Sequence, residues 1–132
     1  MHTGFQGFKD NACMRLIKSF GYAIAGIAVA VKTERNLKIH LVFATIAIGF
    51  SFFFSISKTE WLFILFLIGG MISLELLNTA IERAVNLVTE EVHPLAKQAK
   101  DIAAGAVFIF ACLSVVTGLI IFLPRLAKWV GL

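Results

Sequence analysis

Two hydrophobic patterns alternate along the chain, one of helical period and one of unbroken apolar runs. Phe5, Phe8, Ala12, Leu16 and Phe20 recur at helical spacing, with Asn11, Arg15 and Lys18 on the opposite side and Lys9 out of place. A helix so divided lies in the headgroup region rather than across a bilayer. Residues 20–31, FGYAIAGIAVAV, are apolar but too short to span, and the charged stretch KTERNLK follows. Residues 39–57 carry no charge beyond what His40 holds when protonated. They would cover roughly 28 Å as a helix, close to the hydrocarbon thickness. Residues 61–81 and 102–123 read as two further spans. KTE at 58–60 reads as a tight turn leading to Trp61, an interface anchor, and Pro124, Arg125 and Lys128 close the last span. The pattern predicts an all-α integral membrane protein of one domain over residues 1–132. A surface-helix region covers 1–35, and transmembrane helices cover 39–57, 61–81 and 102–123.

Composition supports a bilayer rather than a water-soluble core. Of 132 residues, 59% are hydrophobic and only 15% charged, and 13 Phe stand against one Tyr and two Trp. A soluble domain of this size could not bury so much apolar surface. The net charge of +4 marks cytoplasmic segments and anionic headgroups rather than a nucleic-acid partner, since there is no basic arm interleaved with aromatics. Cys13 and Cys112 have neither disulfide-framework nor zinc-site spacing and read as small buried thiols. Lys9, Asp10, Arg15 and Lys18 precede any long apolar run, so the N-terminus does not read as a secretory signal.

The cationic residues set an expected topology. Lys9, Arg15, Lys18, Lys32, Arg35 and Lys38 precede the first span, and Arg83, Lys97 and Lys100 join the second to the third. Only Lys58, Arg125 and Lys128 lie on the other side, which places the N-terminus in the cytoplasm.

The chemistry concentrates in the second span. Glu75, Asn78, Thr79, Glu82 and Asn86 stand at i, i+3, i+4, i+7 and i+11. On a helix they share roughly 100° of arc, with Glu75 and Glu82 roughly 10 Å apart along the axis. Ionisable residues at membrane depth are costly and point to function. A lone Asn would read as helix–helix glue, and a lone Glu as the partner of a neighbouring Lys or Arg. A five-member stripe with two carboxylates does not. A carboxylate sheltered from water can take a proton from an alcohol, and one at the interface can hold Mg²⁺ through oxygen. Phosphoryl transfer needs both, together with cations for the phosphates, and Arg15, Lys18, Lys97 and Lys100 are candidates. Lys100–Asp101 opens the third span beside Ala103, Ala104, Gly105 and Ala106, whose small side chains suit close approach of a ligand or, equally, ordinary helix packing. GxxxxGK[ST], a Gly-rich kinase loop, HRD and DFG are all absent, which excludes the soluble kinase types.

The stretch Glu75-Leu-Leu-Asn78-Thr79-Ala-Ile-Glu82-Arg-Ala-Val-Asn86 resembles the signature E-x-x-N-[ST]-A-x-E-x-x-V-D of the prokaryotic diacylglycerol kinase family. Ala99-Lys100-Asp101 resembles its second block, and Arg15-Leu-Ile-Lys18-Ser-Phe-Gly21-Tyr22 and Glu34 fall at matching spacing. The resemblance implies a homotrimer of three-span subunits in the bacterial cytoplasmic membrane, with active sites shared between subunits. It implies ATP as cosubstrate, Mg²⁺ as cofactor, and a lipid alcohol as acceptor. Glu75 would be the catalytic base, with Asn78 ordering the site around it. Glu34 and Glu82 would hold the metal and through it the nucleotide. Arg15, Tyr22, Glu91, His93, Lys100 and Asp101 would contact the nucleotide. Two positions depart from the pattern: Asn86 stands where the family has Asp, and Ala23 where some members have Ser. TERN at 33–36, EWLF at 60–63 and HPLAK at 93–97 look like the Gram-positive, undecaprenol kinase-like branch, which favours a polyprenol over diacylglycerol. Outside the resemblance, His93 reads as a solvent-exposed loop residue and His40 as an interface residue. A proton- or ion-conducting oligomer with Glu75 lining a pore would account for the stripe, but not for Glu34 or Lys100–Asp101. A non-catalytic adaptor would fit Asn86, but not the retained Glu34, Glu75 and Glu82.

Overall fold

The computed structural model describes residues 12–88 and 93–131. They form four helices with no strand among the described residues: α1 (Ala12–Thr33), α2 (Arg35–Phe53), α3 (Lys58–Val88) and α4 (Pro94–Trp129). Each is long and apolar enough to cross a membrane by length and composition. The apolar stretch 20–31, too short by itself, is part of the continuous 22-residue α1. Apolar and polar side chains separate more sharply around α1 than around the other helices. The stretch 5–11 of the expected surface helix lies outside the described residues. By contacts α1 is one unit and residues 34–132 are another.

In the second unit α3 packs against both α2 and α4. The three run antiparallel, because Arg83 late in α3 reaches Glu34 before α2, while Glu60 early in α3 reaches Arg125 late in α4.

The α2–α3 connection is shorter and tighter than the pattern implies. KTE at 58–60 is the first turn of α3, and the chain reverses over residues 54–57. Ser55 sits at φ 46°, with its N–H donating to the Phe52 carbonyl at 3.1 Å and that of Ile56 to the Ser51 carbonyl at 3.2 Å. That pair is a Schellman ending, which satisfies two of the orphan carbonyls of α2. Ser57 then caps α3: its N–H donates to Glu60 Oε2 at 2.8 Å, and Glu60 N–H donates to Ser57 Oγ at 3.3 Å. This reciprocal capping box is accompanied by contact of Trp61 with the cluster of Ile56, Ile64 and Ile121, which staples the turn to the bundle.

Pro124 does not end the last helix. It lies inside α4, which runs on to Trp129. Proline cannot donate to the carbonyl four residues back. The carbonyl so orphaned is that of Ile120; the neighbouring Arg125 donates from Nη1 to the Ile121 carbonyl at 2.6 Å and from Nη2 to Glu60 Oε2 at 2.8 Å, tying this turn to α3. Midway along the α3–α4 contact, a Cβ at Gly70 would run into the ring of Phe110, so the absence of a side chain sets how closely those helices pass. Cys13 and Cys112 are exposed rather than buried. Cys112 lies in the apolar run of α4, where a thiol on the outer face meets lipid and needs no core.

Candidate active site

The polar stripe keeps its helical spacing, and its burial is graded along α3. Glu75 is 3% exposed, Asn78 and Thr79 are also buried, Glu82 is half-buried and Asn86 is exposed. The first turns of α2 close over the buried end. The Asn36 side chain hydrogen-bonds the Glu75 carboxylate, and His40, Glu82 and Glu34 are its charged neighbours. Glu75 therefore hydrogen-bonds an amide and lies within electrostatic reach of an imidazole and two carboxylates, rather than pairing with the Lys or Arg expected of packing glue. Glu34 occupies the N-cap position of α2 but makes no side-chain capping bond. Its Oε1 instead accepts from Arg83 Nη2 at 2.8 Å.

Asn78 donates from Nδ2 to Glu82 Oε1 at 3.2 Å, while its Oδ1 is buried with no partner. A buried acceptor left unpaired costs about 1–3 kcal/mol and calls for an explanation. Among the described residues no group of three or more His, Cys, Asp or Glu converges into a metal cage. Mg²⁺ at a phosphoryl-transfer site needs none, because one or two carboxylates suffice when phosphate oxygens and waters complete the shell. Glu34 and Glu82 are both within electrostatic reach of Glu75, and Glu34 is engaged by Arg83.

Lys100 and Asp101 are adjacent in sequence but turn to different partners, as neighbours roughly 100° apart on a helix must. Lys100 Nζ crosses to Asn86 Oδ1 at 2.7 Å, whereas Asp101 Oδ2 accepts from Lys97 Nζ at 3.0 Å on the exposed side of α4. His93 caps α4, its Nδ1 accepting from Leu95 N–H at 3.2 Å ahead of Pro94. Glu91 lies outside the described residues. Arg15 and Tyr22 are exposed on α1, in the other unit. Of the small residues after Asp101, only Ala103 is buried.

Three features of the site were not read from sequence. Arg83 stands inside the motif and was counted only as a topological charge. Asn36 has no signal apart from its place one turn before His40. The third is a cavity of about 380 Å³ between α2, α3 and α4, walled by Phe43, Leu67, Met71 and Gly118 among others. His40 lines this cavity.

The second unit is a bundle of membrane-length helices that holds an apolar cavity and, on α3, a buried carboxylate at the head of a polar stripe. The prokaryotic diacylglycerol kinase model matches residues 21–122. Undecaprenol kinase of Bacillus subtilis is 52% identical over 116 residues, covering 88% of this chain and 94% of that protein. Diacylglycerol kinase of Synechocystis is 38% identical over 84% of this chain and 64% of its own length, and that of Haemophilus influenzae is 33% identical over 87% and 98%. The chain belongs to the prokaryotic diacylglycerol kinase family, a family of lipid kinases.

Proposed function

We propose that this chain is an undecaprenol kinase, transferring the γ-phosphate of ATP to the lipid hydroxyl at the cytoplasmic face of a bacterial inner membrane. The observation that carries the reading is the burial of Glu75 within the polar stripe of α3, one turn beyond Met71 and Ile72 of the cavity wall. A lipid alcohol and a water-soluble cosubstrate can meet there. Glu75 takes the hydroxyl proton, the alkoxide oxygen forms its bond to the γ-phosphorus, and the bond to the bridging oxygen breaks to release ADP. Asn78 and Asn36 hold the carboxylate and its surroundings in register. Lys100, with Arg15, Tyr22, Glu91, His93 and Asp101, engages the nucleotide. Glu34 and Glu82 would hold Mg²⁺, which when bound supplies charge neutralisation for the phosphates.

The remaining parts of the reading follow the same logic. α1 lies in the headgroup layer, which suits its two-sided pattern, with the N-terminus cytoplasmic. The enzyme is read as a homotrimer with shared sites, the assembly that the family resemblance implies. Undecaprenol is preferred to diacylglycerol because of the 52% identity with the Bacillus subtilis enzyme. The test is phosphate transfer from labelled ATP in detergent micelles with both alcohols offered side by side. Product from undecaprenol with little from diacylglycerol is expected. The reverse preference would keep the kinase and change its substrate, and no product from either would end the reading.

A further inference from the structure

The cavity is almost uniformly apolar. His40 and Ser114 are the polar side chains in its lining, and the Ser114 hydroxyl is used by its own helix, donating to the Phe110 carbonyl at 2.9 Å. The Ser114 oxygen can still accept, which leaves His40 as the one lining side chain among the described residues with a donor to offer an occupant. His40 is half-buried and is also a charged neighbour of Glu75. One residue therefore belongs both to the wall of the cavity and to the surroundings of the base. A chain lying in this cavity meets the imidazole as its one side-chain donor, on the side from which His40 acts electrostatically on Glu75.

We propose that His40 is the residue that reads the acceptor: its imidazole hydrogen-bonds the hydroxyl of a lipid alcohol whose chain lies in the α2–α3–α4 cavity, and so selects an alcohol with a single polar end. The inference rests on the kinase reading of Glu75 and goes beyond it by naming what chooses the substrate. The selection has a physical cause. A glyceride carries ester carbonyls beside its hydroxyl, and in this cavity they would be stripped of water with no donor to replace it. A polyprenol has no such groups. At about 380 Å³ the cavity is near the lower end of ligand-pocket volumes, so it holds the isoprene units nearest the hydroxyl while the rest of the chain stays in the bilayer. Gly118 supports an open cavity, since a Cβ added there meets nothing within 4 Å.

The experiment uses the full chain in detergent micelles, with undecaprenol and dioleoylglycerol as acceptors and ATP varied separately. His40→Leu is expected to lower kcat/KM for undecaprenol about tenfold or more, the effect of removing one hydrogen bond to a desolvated hydroxyl. The KM for ATP should stay within about twofold, and the preference for undecaprenol over dioleoylglycerol should shrink. His40→Gln, which can still donate and accept, should recover most of the loss. Gly118→Leu, whose Cβ meets nothing within 4 Å, should occupy part of the cavity, raise the KM for undecaprenol and leave that for ATP unchanged. A diazirine-bearing short polyprenol should label cavity residues such as Ala111 and Gly118 in the wild-type protein.

Wild-type transfer to undecaprenol with unchanged selectivity in both His40→Leu and Gly118→Leu would overturn this inference and leave the kinase reading standing. So would labelling confined to the outer faces of the helices, as when another copy of the chain fills the cavity. A wild-type protein inactive on both alcohols would overturn the two together.

Discussion

Lys100 donates to Asn86 Oδ1 at 2.7 Å, tying the start of α4 to α3 one turn beyond Glu82. Because Asn86 is neutral, the contact orients the ammonium without cancelling its charge. An Asp at this position would form an ion pair instead. Asn86→Ala should raise the KM for ATP by about three- to tenfold through loss of one charge-assisted hydrogen bond at an exposed site. Asn86→Asp should keep the tether and stay nearer the wild type. Initial rates with ATP varied at saturating lipid check both.

Glu75→Gln keeps the size of the side chain and its bond to Asn36 but removes the base. Turnover should fall by about 10²-fold or more, the usual contribution of a positioned proton acceptor. Binding of ATP, followed by titration calorimetry in micelles, should change little. Near-normal turnover would withdraw Glu75 from the chemistry.

Gly70→Ala places a methyl group against the Phe110 ring. The overpacking should cost about 1–3 kcal/mol, read from reversible unfolding in mixed micelles. Phe110→Leu combined with Gly70→Ala should recover part of that loss. Additivity of the two substitutions would show that the helices do not meet at this point.

Ser55 holds a left-handed conformation at φ 46°, where a side chain is strained and glycine is not. Ser55→Gly should stabilise the α2–α3 turn by up to about 1 kcal/mol, offset in part by the entropy of glycine in the unfolded chain. Activity should be unaffected, because the turn is at the far end of α3 from Glu75. The same unfolding measurement decides it, and a loss of stability would contradict the assigned backbone.

Much of the architecture was legible because a bilayer simplifies the code. Long runs without charge have no soluble alternative, so helices through 61–81 and 102–123 could be read from the alternation of apolar runs and charges, and one through 39–57 except for its last four residues, which form the turn after α2. The helix ends were harder. Ser57-Lys-Thr-Glu60 is a capping box visible in the sequence, yet it read as a turn because Gly was missing and Ser55 took the left-handed position in its place. Pro124 read as a stop because proline usually is one. It lies inside α4, where the side chain of Arg125 ties the turn to Glu60 of α3.

The sequence by itself determined the chemical inventory and its spacing: a helical stripe of Glu75, Asn78, Thr79, Glu82 and Asn86 at membrane depth, with a motif specific enough to point to a family. Helical periodicity fixes which residues share a face, whatever that face meets. What the face meets is a non-local matter. Only the tertiary structure decided that Asn36 and His40 close on Glu75, that Glu34 turns to Arg83, and that Lys100 parts from Asp101 to reach Asn86. Only it showed a cavity lined in part by His40. Those contacts depend on the antiparallel register of three helices, set by the α2–α3 turn, the Glu60–Arg125 bridge and the gap left at Gly70.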